Sequence, residues 1–335
     1  MPDRDGNGWV RCDLGHRHWG LYGAAGMLVY VTGGPVLMQQ RVSWSHHGGT
    51  WGLPGGARDS HESAMSAALR EAAEECGVLP EAITQRAVFT DDHGGWSYTT
   101  VLAEAADPFP VMPDDGEAEE VEWLPPAEVS KLELHPSLAA HWRRLQVELS
   151  PVTFIVDGAN VVGSRPDGWW RDRAGAAGRL RGELVPLVAA GLTSLPEGVA
   201  GTVPPEPEPG AEAPPPPGPA PAPVRSWNPY SAGWRRREEA ETGMGDGEIT
   251  WRWFPDVILV VEGAARPAAA QPADDQVRLV AAEGEGDDTI AALAAQVRGR
   301  RVVVTADREL RRRCEAAGAA VAGPGWLLGL LPAGG

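Results

Sequence analysis

The stretch Gly56–Val78, GARDSHESAMSAALREAAEECGV, constrains this chain more than any other. A glycine is followed, after five residues, by Glu62; after seven more come Arg70 and Glu71, then Ala72, Glu74, Glu75, Gly77 and the aliphatic Val78. Asp59 and Glu62 read as the N-cap and N3 of a helix that Gly77 and Pro80 close. At about 100° per residue, Met65, Ala68, Leu69, Ala72 and Cys76 share one face, and Glu71, Glu74 and Glu75 share the opposite one. Like charges that close repel unless a cation sits among them. A hard divalent ion, Mg2+ or Mn2+, takes oxygen ligands, often together with substrate phosphates. Such an ion neutralises phosphate charge and activates water. A Glu-rich helix face by itself is ordinarily just solvated; the fixed spacing to Gly56, Glu62 and Arg70 makes this one a candidate site.

The pattern resembles the Nudix box, G-x5-E-x7-R-E-U-x-E-E-x-G-U with U aliphatic, and every charged position matches. Ala72 is smaller than the usual aliphatic residue, a departure that bears on packing. The resemblance implies metal binding by Glu71, Glu74 and Glu75, assisted by the carbonyl of Gly56. It also implies that Arg70 pairs with Glu62 to hold the loop. The activity it implies is cleavage of the pyrophosphate bond of a nucleoside diphosphate derivative, with the nucleotide left open because the box recognises only the pyrophosphate.

The flanking sequence suits that reading. Residues 1–17 are polar and expected to be flexible. His16, His18 and Trp19 cluster near the start, where isolated histidines more often pack or face solvent than bind metal. Ala24–Thr32 and Val36–Arg41 read as two strands around a Gly-Gly turn, with further strands at Ala87–Thr90 and Ser97–Glu104. The acidic segment Asp114–Glu122 looks like the strand that often supplies one more carboxylate in such domains. Glu120 is the candidate catalytic residue there and Glu117 the reserve, against a plain solvated acidic loop. Pro126–Leu149 reads as a helical turn and a closing helix. Together these pieces predict an α/β/α sandwich with a mixed sheet over residues 18–149.

Near Pro151 the pattern restarts. Val152–Val156, Val257–Val261, Val277–Ala281 and Arg301–Thr305 read as buried strands, alternating with helices at Arg179–Leu192, Asp287–Val297 and Arg308–Ala317. That alternation predicts a parallel α/β sheet over residues 150–335. Acidic residues recur at the strand ends: Asp157, Glu262, Asp287 with Asp288, and Asp307. One such residue is ordinarily just a helix cap, but four at one edge suggest a metal cluster for phosphodiester hydrolysis. The pieces VDGANVV, GEGDDTIAAL and VVVTADREL resemble the NYN branch of PIN-like ribonucleases, particularly the YacP-like group. By position, Asp157, Asp287 or Asp288, and Asp307 would bind Mg2+ or Mn2+ and carry catalysis, with Asn160 orienting Asp157. Arg165, Arg171, Arg173, Arg308, Arg311, Arg312 and Arg313 flank the edge and suit an RNA backbone or, equally, a soluble helix surface. Trp169 and Trp170 offer base stacking or loop packing. Residues 196–250, with PEPEPGAEAPPPPGPAPAP, read as a proline-rich disordered insert within this second domain. Trp227, Trp234 and Arg235–Arg237 are its most plausible docking residues.

Net charge and cysteines narrow the class further. A formal charge of −17 over 335 residues argues against non-specific coating of nucleic acid. Three scattered cysteines without metal or redox spacing suit reduced thiols in a cytoplasmic protein. No signal pattern opens the chain, and no apolar run of membrane-spanning length is present, so no membrane partner is expected. A nucleotide-sensing first half regulating an RNA-binding or RNA-cleaving second half is the alternative reading, and the intact box carboxylates speak against a pure sensor.

Overall fold

The computed structural model describes residues 4–112, 116, 118–201, 245–270 and 276–331. Its first half is built on β3 (Ala24–Val31), whose backbone is covered on both sides. β3 pairs in parallel with β8 (Ser97–Ala105) and antiparallel with β4 (Val36–Arg41) and β6 (Gly55–Ala57). β7 (Ile83–Asp92), β5 (Trp51–Gly52) and β9 (Ala118–Leu124) extend this mixed sheet. The helix α1 (Ala64–Cys76) covers one face over Met27, Val29, Leu37, Val101 and Ala103. On the other face α3 (Pro136–Leu145), reached through the short α2 (Pro126–Val129), packs Leu138, Trp142 and Leu145 on Leu28, Tyr30, Met38 and Phe89. The first half is therefore the expected α/β/α sandwich.

The start of α1 differs from expectation. Ser63 is the N-cap, its hydroxyl accepting from Ser66 N at 3.1 Å. Asp59 is buried instead in the preceding loop, where it accepts from Gly6 N at 2.8 Å. The end of α1 is as expected: Gly77 adopts φ 71° and donates to Ala73, while Val78 N donates to Ala72. This is a left-handed cap that suits glycine. Residues 4–17 are not a loose arm either. β1 (Trp9–Arg11) and β2 (Arg17–Trp19) form an antiparallel hairpin, with Trp9 and Trp19 rings 5.5 Å apart.

The second half holds a five-stranded parallel sheet. β10 (Val152–Asp157) is central, β12 (Asp256–Val261) and β13 (Val277–Ala281) lie on one side, and β14 (Arg300–Val304) and β15 (Ala320–Ala322) on the other. Its helices are α4 (Gly158–Gly163), α5 (Arg173–Ala190), α6 (Gly286–Gln296), α7 (Arg308–Ala316) and α8 (Pro324–Leu330). Strand order reverses direction between β10 and β14, which opens a crevice at the carboxyl ends of those strands.

The boundary between the halves differs from expectation in one respect. β11 (Glu248–Trp253), placed at the end of the insert in the sequence reading, pairs antiparallel with β7 and joins the first sheet. Its alternate residues Trp251 and Trp253 stack 5.7 Å apart and reach the core beside Phe89. Residues 196–201 are also packed: Val199 is buried, and Gly201 N donates to Glu148. The proline-rich run itself, with Trp227, Trp234 and Arg235–Arg237, lies outside the described residues.

Glu148 ties the two halves together. Its buried carboxylate accepts from Trp253 Nε1 at 3.1 Å, from Gly201 N at 2.7 Å and from Arg300 Nη1. Beside it, Arg86 bridges Glu104 at 2.8 Å and Asp256 at 2.9 Å. Removing one member of a buried ion pair strands the other, at about 3–5 kcal/mol. Glu148→Ala is therefore expected to lower unfolding free energy by about 3 kcal/mol or more. Urea unfolding checks it; a loss under about 1 kcal/mol would class the pair with surface salt bridges.

Candidate functional sites

The loop before α1 and the helix itself are locked by one guanidinium. Arg70 grips Glu62 with two bonds, Nε to Oε1 at 2.7 Å and Nη2 to Oε2 at 2.9 Å. The same group donates to Glu71 Oε1 at 2.7 Å, to Ala57 O at 3.1 Å and to Glu74 Oε2 at 3.4 Å. Arg4 reaches Glu74 from the chain start at 2.6 Å. These hydrogen bonds hold Glu62 below the ordinary glutamate range and raise Arg70 further. Glu71 moves the other way: burial pushes it up, and Arg70 only partly offsets this.

Glu71 and Glu75 are not a solvated face: both are less than a tenth exposed. Glu75 accepts from Gln39 Nε2 at 2.9 Å and from Gly55 N at 2.8 Å. Gly56 packs so tightly on Glu71 that a Cβ there would meet Oε1 at 2.5 Å. Any larger residue here would push that carboxylate aside. The donors gathered here are oxygens alone, which suits a hard divalent ion such as Mg2+ or Mn2+. Ala72 is fully buried under the sheet, so its small size sets how closely α1 approaches.

Glu71 and Glu75 form one wall of a cleft of about 460 Å3. The remaining walls include Trp9, Trp19, Trp96 and Tyr98, with His46, His47 and His135 on α3's side. Burial, then neighbouring His47, pulls His135 well below the ordinary histidine value, so its ring is neutral at pH 7. Burial raises Tyr98 to about 12, keeping its hydroxyl protonated. A cleft of this size holds one nucleotide-sized ligand, and both carboxylates and aromatic rings line it.

Glu120 is not brought to this wall. It lies opposite Gln40, while Val121 lies opposite Gln39, the residue that reaches Glu75. Adjacent strand residues point to opposite faces, so Glu120 stands on the far face and is exposed. Glu117 lies outside the described residues. Gln39 and the aromatic hairpin Trp9–Trp19 are the site residues that the sequence reading missed.

The second edge gathers the expected acids. Asp157 is buried at the end of β10, accepting from Thr305 Oγ1 at 2.8 Å and from Asn160 N at 3.0 Å. Asn160 Oδ1 in turn accepts from Ala306 N at 3.0 Å, which links the first strand end to the fourth. Asp307 caps α7 through Leu310 N at 2.8 Å, and Glu262 accepts from Gly286 N at 2.7 Å. Burial, then Glu262 and Asp307, raises Asp157. Burial, then Asp157, Asp307 and Glu262, raises Asp287. Asp288 turns away to Arg313 at 2.7 Å, so Asp287 is the residue of that pair within reach of the crevice. Of the flanking arginines, Arg165 is engaged with Glu183 and Arg312 with Glu309. Trp169 packs on the core and Trp170 is exposed.

An arginine-clamped carboxylate helix beneath a glycine loop, on a mixed sheet, is the build of a hydrolase. The NUDIX domain profile matches residues 21–145. The chain is 47% identical over 152 residues to "Putative 8-oxo-dGTP diphosphatase 3" of Mycobacterium tuberculosis, covering 42% of this chain and 70% of that protein. It is 41% identical over 152 residues to a "Nucleoside triphosphate pyrophosphatase/Nudix hydrolase fusion protein" of Bifidobacterium longum, covering 43% of this chain and 32% of that one. Among solved structures, the Nudix hydrolase RenU from M. smegmatis matches at 45% identity and a TM-score of 0.40, over 42% of this chain and 93% of that one. The chain belongs to the Nudix hydrolase family. No helix among the described residues is long and apolar enough to cross a membrane.

The Arg70–Glu62 clamp has a pH signature. Glu62 titrates lower folded than unfolded, so its stabilisation is complete above the unfolded value of about 4.3 and is lost as pH falls through the lower folded value. Glu62→Gln is expected to be less stable than wild type at pH 7, with the gap closing on acidification below about pH 4. Denaturant titrations at both pH values check this; a gap that ignores pH would assign the loss to packing.

Proposed function

We propose that the first half hydrolyses the pyrophosphate bond of a nucleoside diphosphate derivative, using Mg2+ or Mn2+ held by Glu71, Glu74, Glu75 and the carbonyl of Gly56. The observation that carries this reading is the shared cleft: Glu71 and Glu75 line the same cavity as Trp9, Trp19, Trp96 and Tyr98. The bound cation would neutralise phosphate charge and lower the pKa of a coordinated water. The protein's own part is positional. Arg70 and Glu62 fix the loop, Gln39 and Gly55 N orient Glu75, and the aromatic walls receive the base. The mycobacterial relative's name makes oxidised purine deoxynucleoside triphosphates the first substrates to test.

In a phosphate- and pyrophosphate-release screen over a nucleotide panel with Mg2+, wild type is expected to be active. Glu74→Gln is expected to lose about 10²-fold or more in kcat. Wild-type inactivity on every compound would remove the hydrolase reading and leave nucleotide sensing.

The second half fits a PIN-like, NYN-type ribonuclease domain within residues 150–335, β11 apart, with Asp157, Asp287 and Asp307 as metal ligands and Asn160 orienting Asp157. Its support is the convergence of Asp157, Glu262, Asp287 and Asp307 at the crevice where strand order reverses. Asp157→Asn is expected to abolish RNA cleavage while leaving RNA binding unchanged, as read by gel assays of both. Binding without cleavage in wild type would make this half an RNA-binding module. Regulation of one half by nucleotide in the other is favoured by one observation: β11 of the first sheet runs into β12 of the second across Phe254 and Pro255 alone.

A further inference from the structure

The β1–β2 hairpin carries Cys12 at the end of its first strand, His16 in its turn and His18 on its second strand, and it sits against the β7–β8 turn, which carries His93. One ligand atom from each of these four residues lies within 4.8 Å of every other. Cys12, His18 and His93 are buried, and His16 is half-buried. Four ligands around a tetrahedral zinc ion stand about 3.3–3.7 Å apart, given Zn–N near 2.0–2.1 Å and Zn–S near 2.3 Å. Cys12 Sγ and His93 Nδ1 are already 3.9 Å apart.

Several ring nitrogens of this cluster are buried without a hydrogen bond. Both ring nitrogens of His18 are buried without a hydrogen bond, although only 1% of the residue is exposed. His16 Nδ1 is buried and without a hydrogen bond as well. Buried polar atoms are nearly always satisfied, and one left dry costs about 1–3 kcal/mol. Two such rings in one pocket therefore point to a ligand, which would take one nitrogen from each. Carboxylates stand behind the outer imidazoles: His93 Nε2 is 3.2 Å from Asp91 Oδ1, and His16 Nε2 faces Asp246 at 4.0 Å. A carboxylate behind a histidine fixes the tautomer that leaves the inner nitrogen free to bind metal. Asp91 is itself fully buried, and its second oxygen accepts from His141 Nε2 at 2.8 Å and Gly245 N at 3.0 Å. A divalent ion would balance the charges of a Cys12 thiolate and the Asp91 carboxylate.

We propose that Cys12, His16, His18 and His93 form a closed tetrahedral site for a zinc-class divalent ion that locks the β1–β2 hairpin onto the β7–β8 turn. Three imidazoles and one thiolate suit zinc and not Mg2+, which takes oxygen ligands. With four protein ligands the site has no open position, so its role is structural. What it holds in place is the aromatic wall of the cleft. The His18 ring stacks on Trp96 at 3.8 Å, Trp96 Nε1 donates to Trp19 O at 3.2 Å, and Trp9 stands beside Trp19.

The test uses the full chain, stripped with a chelator and titrated with Co2+ and then Zn2+. Wild type is expected to show the visible bands of tetrahedral cobalt and a thiolate-to-cobalt charge-transfer band in the ultraviolet, both displaced by about one equivalent of zinc. Cys12→Ser is expected to lose the charge-transfer band and at least about 10-fold in metal affinity. Glu74→Gln, predicted to lose hydrolysis, is expected to keep both bands, so failure of the hydrolase reading and failure of this one are separable. Absence of the tetrahedral bands in wild type, or a charge-transfer band that persists in Cys12→Ser, would overturn the proposal. Should Cys12→Ser fail to fold, the wild-type spectrum decides alone.

Discussion

Arg70 is the charge that allows α1 to bury carboxylates. Glu71 and Glu75 both lie against the sheet side of the helix, where an unpaired negative charge is costly. Arg70 lies between Glu62 and Glu71 and also holds the Ala57 carbonyl, so one cation fixes loop, helix and strand β6 together. Its reach does not extend to every carboxylate. Burial still raises Glu71 despite the Arg70 contact, which leaves the helix with acidic oxygens that gain from further positive charge. The clamp thus keeps the fold intact and the carboxylate wall under strain of charge. That is the condition in which a divalent ion binds most favourably.

The second edge solves the same problem without a cation of its own. Asp157 is buried among neutral donors, Thr305 and the backbone of Asn160. Glu262, Asp287 and Asp307 approach it from three other strand ends, and each adds repulsion to the burial of Asp157 or Asp287. The arginines nearby are engaged outward, Arg313 with Asp288 and Arg312 with Glu309. Charge is therefore segregated: basic groups on the helix surface, acidic groups in the crevice. One edge is braced by an arginine and the other is left acidic, yet both present carboxylate oxygens from buried positions.

What was legible in the sequence followed from how local each signal is. The box was readable because its chemistry lies within one loop and one helix, and the parallel strands because continuous runs such as VILVV are buried on both faces. The N-cap was misplaced because Asp59 is recruited by Gly6, a residue far away in sequence. The face of Glu120 was not legible because it depends on the pairing with β4, which sets it opposite Gln40 and not Gln39. β11 did carry a signal, since Ile249, Trp251 and Trp253 alternate with polar residues, but the proline-rich run before it drew the boundary too late.

The histidine cluster shows why spacing alone misjudges a site. Cys12, His16 and His18 match no compact ligand spacing, and the fourth member comes from a turn some 75 residues further on. A hairpin converts that spacing into proximity: residues on either side of a tight turn stand across from each other whatever separates them in sequence. Gly94, at φ 67°, lets the β7–β8 turn approach so closely that its carbonyl accepts from Asp13 N at 2.9 Å. The backbone contact and the side-chain cluster therefore depend on one another. The hairpin supplies two tryptophans to the cleft, so the shape of that wall depends on the β1–β2 turn, which lies on no element bearing the box carboxylates. On the proposed reading, the tryptophans of the hairpin and the carboxylates of α1 meet at the cleft from separate pieces of chain. The first can vary without disturbing the second.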